Sequence, residues 1–248
     1  MSNGADQGST YPPLDVLKPV TDNVWIVDSG PLQALGMPLP IRMTVIRLAN
    51  GDVLLHSPTR FDNRLKRQID DLGQIRHLIA PDVGHWSFLQ EWQHNCPGAL
   101  TWAAPGLRQR AQVQKAGLKI DRDLANEPPS EWASEIDQTV IRGALFSEVD
   151  FFHKPTKTLI LTDLIVNIEP QKMPPLARMV AHLAGHIAPN GRTPRYLRLV
   201  IMANRREARL AASRMVAWAP ERVVFSHGRW FERDGTAALR QALGWLVG

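Results

Sequence analysis

The chain opens its ordered pattern with short runs of strand-forming residues. Residues 23–28 (NVWIVD) are rich in β-branched and aromatic types, and residues 41–48 (IRMTVIRL) alternate apolar and polar. Asn50-Gly51 separates the second run from residues 52–56 (DVLLH), a strong signal for a tight hairpin. Between the first two runs lies GPLQALGMPLP, residues 30–40, which reads as a Gly/Pro loop. Residues 59–72 then place Leu65, Ile69 and Leu72 on one helical face, and Gly73 stops the run. Short strands are expected at residues 77–80 and 99–103, and helices at 86–94 and 107–115.

The second half repeats the order of strands first and helices after. Residues 121–135 are polar and hold Pro128-Pro129, so a loop is expected there. Residues 139–142, 149–152 and 158–162 read as a β meander, with HKPTKT (153–158) as a turn and His153 as a solvated turn residue. Helical spacing follows at 176–187, near 196–201 and at 205–218. A strand at 221–226 (ERVVFS) ends at His227-Gly228, and a last helix spans 236–246. No internal repeat is visible. Two groups of strands, each followed by helices, favour two sheets packed together with helices outside.

Bulk properties narrow the picture further. A chain of 248 residues with 44% hydrophobic and 21% charged positions suits one α/β domain with a packed core. No apolar run approaches the roughly 18 residues of a membrane helix, so no membrane partner is expected. The first residues, MSNGADQGSTYPP, lack the apolar core of a secretion signal; residues 1–20 read as a flexible leader to a single domain over 21–248. A cytoplasmic location is the default. The single cysteine, Cys96, excludes an internal disulfide and a cysteine-built zinc site. The net charge of +5 permits anionic partners without demanding them. The basic cluster Arg205, Arg206 and Arg209 reads as a solvated helix face, and nucleic acid is not favoured because no aromatic-basic interleaving stands out.

The candidate chemistry sits where strands stop. DVLL ends at His56, and HLIA ends at Pro81-Asp82 with His85 three residues beyond. TLILT ends at Asp163, and RVVFS ends at His227. In layered α/β proteins such ends gather the functional residues. Two or three imidazoles and a carboxylate meeting there suit zinc, or iron where coordination positions stay open. Each residue also has a structural reading. Asp163 can cap a turn, His227 can donate to a carbonyl, His85 can pack on Trp86, His56 can bond within the core, and Asp82 can close an Asx turn. His182 and His186 are four apart on one helical pattern, but no glutamate follows His182 and HExxH chemistry is absent. No GxGxxG, GxxxxGK[ST] or GxSxG occurs, which argues against a dinucleotide fold, a P-loop and a standard α/β-hydrolase.

Taken in order, NVWIVDSG, IRMTVIRLANGDVLLHSPT, LIAPDVGHWSF, FFHKPTKTLILTDLIVN and VVFSHG resemble the metallo-β-lactamase-like superfamily, in an uncharacterised branch. The likeness runs from about residue 21 to the end. It implies a four-layer αββα sandwich with the site at one edge of the two sheets. It also implies a degenerate form of the family's HxHxDH motif. The first two histidines fall on Pro81 and Val83, the aspartate on His85 and the last histidine on Trp86. A shift of one residue would instead put His85 at the last histidine. The third-motif histidine falls on Ala144, the bridging aspartate matches Asp163 and the closing histidine matches His227, while His56 stands at the first-motif aspartate.

The resemblance thus implies that one metal of a pair has lost its ligands, leaving one zinc or iron ion on His85, Asp163 and His227. His56 and Asp82 are further candidates, and Asp163 is ligand or base. The function expected is mononuclear metal-dependent hydrolysis of a small-molecule ester, thioester or amide. The alternative is a non-catalytic protein that binds a ligand or partner in the old cleft, with no ion. Residues 174–195 form an insert that is a candidate lid or homodimer surface.

Overall fold

The structure, a computed structural model, describes residues 7–34, 37–173, 178–179, 188–189 and 191–248. Its first sheet has seven strands in sequential order: β1 (Lys18–Thr21), β2 (Val24–Ala34), β3 (Met37–Arg47), β4 (Asp52–His56), β5 (Gln74–Ala80), β6 (Leu100–Ala103) and β7 (Arg122–Asp123). Strands β1 to β4 pair antiparallel, and β4 to β7 pair parallel. The second sheet takes β8 (Ile136–Gly143), β9 (Phe146–His153), β10 (Thr158–Ile160) and β12 (Arg222–Val224), in the order β12-β10-β9-β8. A two-residue parallel pair joins β11 (Val166–Asn167) to β13 (His227–Gly228).

Three hydrophobic clusters separate four layers. Val53, Leu55 and Leu78 of the first sheet meet Leu65, Ile69 and Trp92 from the helices Asn63–Asp70 and Leu89–Asn95. Leu54, Ile79 and Trp102 face Val149, Phe151 and Ile160 between the sheets. Phe152, Leu159 and Val223 carry the helices Arg195–Ile201, Arg205–Ala217 and Gly235–Val247 through Leu197, Ala212 and Leu243. The strands obey a period of two, so β4 sends Val53 and Leu55 to its helices and Leu54 to the second sheet. This is the αββα sandwich. No described helix is long and apolar enough to cross a membrane.

Several elements differ from expectation for local reasons. Of the stretch 30–40 expected as a loop, residues 30–34 and 37–40 belong to the β2–β3 ladder; Leu32 pairs with Leu39 and Gln33 with Pro38. Both strands run past their outer neighbours there, so prolines in a two-stranded ribbon remove no ladder bond from the sheet interior. The helix expected from residue 59 starts at Asn63, because the Asp62 carboxylate caps it by accepting from Leu65 N at 2.8 Å. The polar leader expected over 1–20 packs onto the body from Ser9 onward: Ser9 and Thr10 are buried, and Lys18–Thr21 form β1. His153 is not solvated. It pairs with Ile136 in the β8–β9 ladder and its ring is buried beside Thr156. Of the helix expected at 176–187 only Arg178 and Met179 are described, and they are helical; His182, His186 and most of the 174–195 insert lie outside the described residues.

Candidate metal centre

The site forms where parallel strands stop. Strand β5 leaves the core at Pro81, and β9 holds that exit: Val149 N donates to Pro81 O at 2.7 Å. Asp82, fully buried, then shapes the turn, its Oδ1 accepting from Gly84 N at 2.6 Å and His85 N at 2.8 Å. This Asx turn aims the His85 ring across the gap between the sheets. Strand β10 ends at Ile160, and the next residues carry Asp163 to the same gap. His227 arrives in β13, beyond the end of β12.

The three side chains converge. His85 Nε2 lies 3.3 Å from Asp163 Oδ1 and 3.2 Å from His227 Nε2, and His227 Nε2 lies 3.1 Å from Asp163 Oδ1. All three donor atoms fall within 4.8 Å of one another, the one such group of histidine, cysteine and acid side chains found among the described residues. Metal bonds of about 2.0–2.1 Å in a tetrahedron put ligand atoms about 3.3 Å apart. The donor set and its spacing therefore fit a single zinc-sized ion. Asp163 is the wet side of the cluster, its side chain 31% exposed against 11% for His85 and 5% for His227.

Each donor has a dedicated support. His227 Nδ1 lies 2.7 Å from Pro40 O. A carbonyl only accepts, so Nδ1 carries a proton and Nε2 faces the cluster. Arg42, buried two residues along β3, donates through Nη1 to Phe225 O at 2.7 Å and Gly228 O at 2.8 Å, bracketing His227. Its charge is balanced by Asp28 at 2.6 Å, which Lys18 also reaches at 2.9 Å. His85 Nδ1 lies 2.6 Å from Ser57 Oγ, just past the end of β4. Asp163 is held through its backbone. Buried Glu148 accepts from Thr162 N at 2.6 Å, Asp163 N at 3.0 Å and Leu164 N at 2.9 Å. Thr162 Oγ1 in turn donates to Asp82 Oδ2 at 2.7 Å, locking the two turns together.

The electrostatics follow from three buried acids beside two imidazoles. Burial opposes a charge on His85, but Asp82 and Asp163 outweigh it and push its pKa up to about 9. Burial would raise Asp163, yet the His85 charge and hydrogen bonds from His227 and His85 hold it below the usual carboxylate range. Burial, then the Asp82 and Asp163 charges, push Glu148 up to about 7. Burial and neighbouring Glu148 hold Asp150 well above the usual range. Partial burial and the charges of Asp163, Asp82 and Glu148 raise Tyr196 to about 12.

The remaining sequence candidates take other places. Asp82 lies 3.7 Å from His85 Nε2 but already accepts three hydrogen bonds, so it builds the turn. His56 sits 1% exposed in the core between the sheets, edge-on to Phe151 at 5.2 Å, and is outside the donor group. Pro81, Val83 and Ala144 supply no side chain that binds a metal. Sequence reasoning passed over Ser57, Glu148, Thr162, Arg42 and Tyr196. Glu148 and Asp150 left a signal, as acids on alternate positions of a strand whose neighbours are apolar.

No curated protein matches the chain. Solved structures with the same architecture do. A metallo-β-lactamase from Pontibacter korlensis superposes with a TM-score of 0.60 at 13% identity, covering 93% of this chain and 97% of its own. One from Erythrobacter litoralis, with β-mercaptoethanol in its active site, gives 0.61 at 12% identity over 95% and 97%. The metallo-β-lactamase FIM-1 from Pseudomonas aeruginosa, in a mono-zinc form, gives 0.60 at 14% identity over 94% and 96%. A family model described as a domain of unknown function, DUF4336, matches residues 21–190, more than half of the sequence. The chain has the metallo-β-lactamase fold and belongs to the DUF4336 family.

Proposed function

We propose that the protein is a mononuclear metal-dependent hydrolase acting on a small-molecule ester, thioester or amide. The observation that carries this reading is the meeting of three electron-pair donors, His85 Nε2, Asp163 Oδ1 and His227 Nε2, at 3.1 to 3.3 Å. Without an ion, a proton on His85, whose pKa is pushed up to about 9, holds these atoms together; an ion that displaced it would find two imidazole nitrogens and one carboxylate, a donor set for zinc or iron. A structural neighbour, FIM-1, was solved in a mono-zinc form, which supports reading the site with one ion.

When bound, the ion would supply Lewis-acid activation of a water or of the scissile carbonyl. The chain's own groups do the rest. His227 stays in the tautomer that Pro40 O selects, and Ser57 orients the His85 ring. Asp163 faces solvent with its free oxygen, where it can accept the proton of an attacking water. Glu148 keeps the Asp163 backbone from shifting.

The test is turnover of a panel of p-nitrophenyl esters, acyl thioesters and anilides by protein loaded with one equivalent of zinc or iron. Turnover that a chelator abolishes, and that falls at least about 100-fold in Asp163→Ala, supports the reading. A metal-loaded protein that binds panel compounds without turnover would support a ligand-binding role instead.

A further inference from the structure

Among the described residues six large hydrophobic side chains are exposed, and four of them lie within fifteen residues: Tyr196 at 58%, Leu199 at 77%, Met202 at 44% and Leu210 at 67%. The same part of the chain is its most basic. Residues 191–217 hold seven arginines and one glutamate, an excess of six against a net charge of +5 for the whole chain. Arg192, Arg195, Arg205, Arg206 and Arg209 are exposed, and no acid pairs with any of them among the described residues. Arg214 alone in this stretch has a salt bridge, to Glu127.

The fold turns these residues one way. The helices Arg195–Ile201 and Arg205–Ala217, with the short turn Met202–Asn204 between them, all pack on β8. Leu197 and Ile201 of the first helix point inward, as do Ala208, Ala211, Ala212 and Met215 of the second. Helical spacing then puts Arg195, Leu199 and Met202 in one outward row, and Arg206 and Leu210 in another. Leu145, 91% exposed, adjoins them, since Ala144 N donates to Val200 O at 2.9 Å. On an ordinary solvated face charges of both signs mix and exposed apolar side chains are scattered singly, whereas here four lie within fifteen residues among arginines. A nucleic-acid face would carry stacking aromatics, and here Tyr196 is the one aromatic side chain among the outward residues named.

We propose that this face, formed by Arg195, Leu199, Met202, Arg206 and Leu210, docks the protein peripherally on an anionic lipid bilayer. The leucines and the methionine enter the boundary between headgroups and acyl chains, and the arginines meet lipid phosphates. The proposal does not depend on a metal being bound.

The test is flotation with vesicles of pure phosphatidylcholine and of phosphatidylcholine with phosphatidylglycerol. Binding to the anionic vesicles alone, weakening as salt rises, is expected. Combined Arg195→Ala and Arg206→Ala should lower it about 25-fold, at roughly fivefold per charge. Combined Leu199→Ser and Leu210→Ser should lower it about tenfold while an unchanged circular dichroism spectrum shows an intact fold. No flotation at low salt, flotation indifferent to the two leucines, or stronger binding to a single-stranded oligonucleotide than to the anionic vesicles would each overturn the proposal.

Discussion

At the scale of single residues, the site is defined as much by its supports as by its donors. Ser57 lies 2.6 Å from His85 Nδ1, and a serine there can accept the proton that leaves Nε2 free to bind. Ser57→Ala should therefore weaken zinc or iron affinity by about 10- to 100-fold, measured by competition with a chromophoric chelator, with little change in melting temperature. Unchanged affinity would show that packing alone orients the ring. The convergence of His85, Asp163 and His227 was legible in the sequence because Asp163 and His227 each close an apolar run where a strand leaves the core and His85 follows another such end in a glycine turn. Ser57 and Glu148 were not. A serine after a strand is ordinary, and the work of Glu148 depends on three backbone N–H groups that only the tertiary fold brings to it. His56 was weighed as a site residue for the same reason as the others, but its strand presents it to the opposite sheet.

At the scale of elements, the two-residue pair β11–β13 delivers His227. Gly228 makes it possible, with a φ of +101° and a backbone so close to Asn167 that an added Cβ would come 2.2 Å from its carbonyl oxygen. Gly228→Ala should cost more than about 3 kcal/mol in urea unfolding and displace His227, combining backbone strain with a steric clash. A loss below about 1 kcal/mol would mean the pair is pliable. Most strands and helices could be read from period and punctuation, with ends shifted by a few residues. The exception was residues 30–40. Two glycines and three prolines look like a loop in sequence, and only the length of the paired partner strand shows a hairpin.

At the scale of the whole molecule, three apolar interfaces hold four layers, and a few histidines are buried within them. Burial lowers the His56 pKa to about 3, with the nearby His85 charge acting in the same direction and only the Val149 backbone opposing. The unfolded chain takes up this proton near the usual value of about 6.5 while the folded chain does not. Stability is therefore complete above about pH 6.5 and is lost as pH falls toward 3. His56→Leu should shrink the difference in unfolding free energy between pH 7.5 and pH 5.0 by about 2 kcal/mol, at about 1.4 kcal/mol per pH unit below 6.5. An unchanged difference would place the acid sensitivity elsewhere. The layer order was legible because both halves of the chain put strands before helices. The face proposed to meet a bilayer was not, because the arginine cluster alone reads as a solvated helix. The central claim rests on three chain-distant donors sharing one ion, and elemental analysis of protein purified without added metal tests it most directly. The account predicts one zinc or iron per chain in the native protein and none in His227→Ala; a native protein that holds no metal even after loading, or a His227→Ala protein that keeps it, would contradict the account.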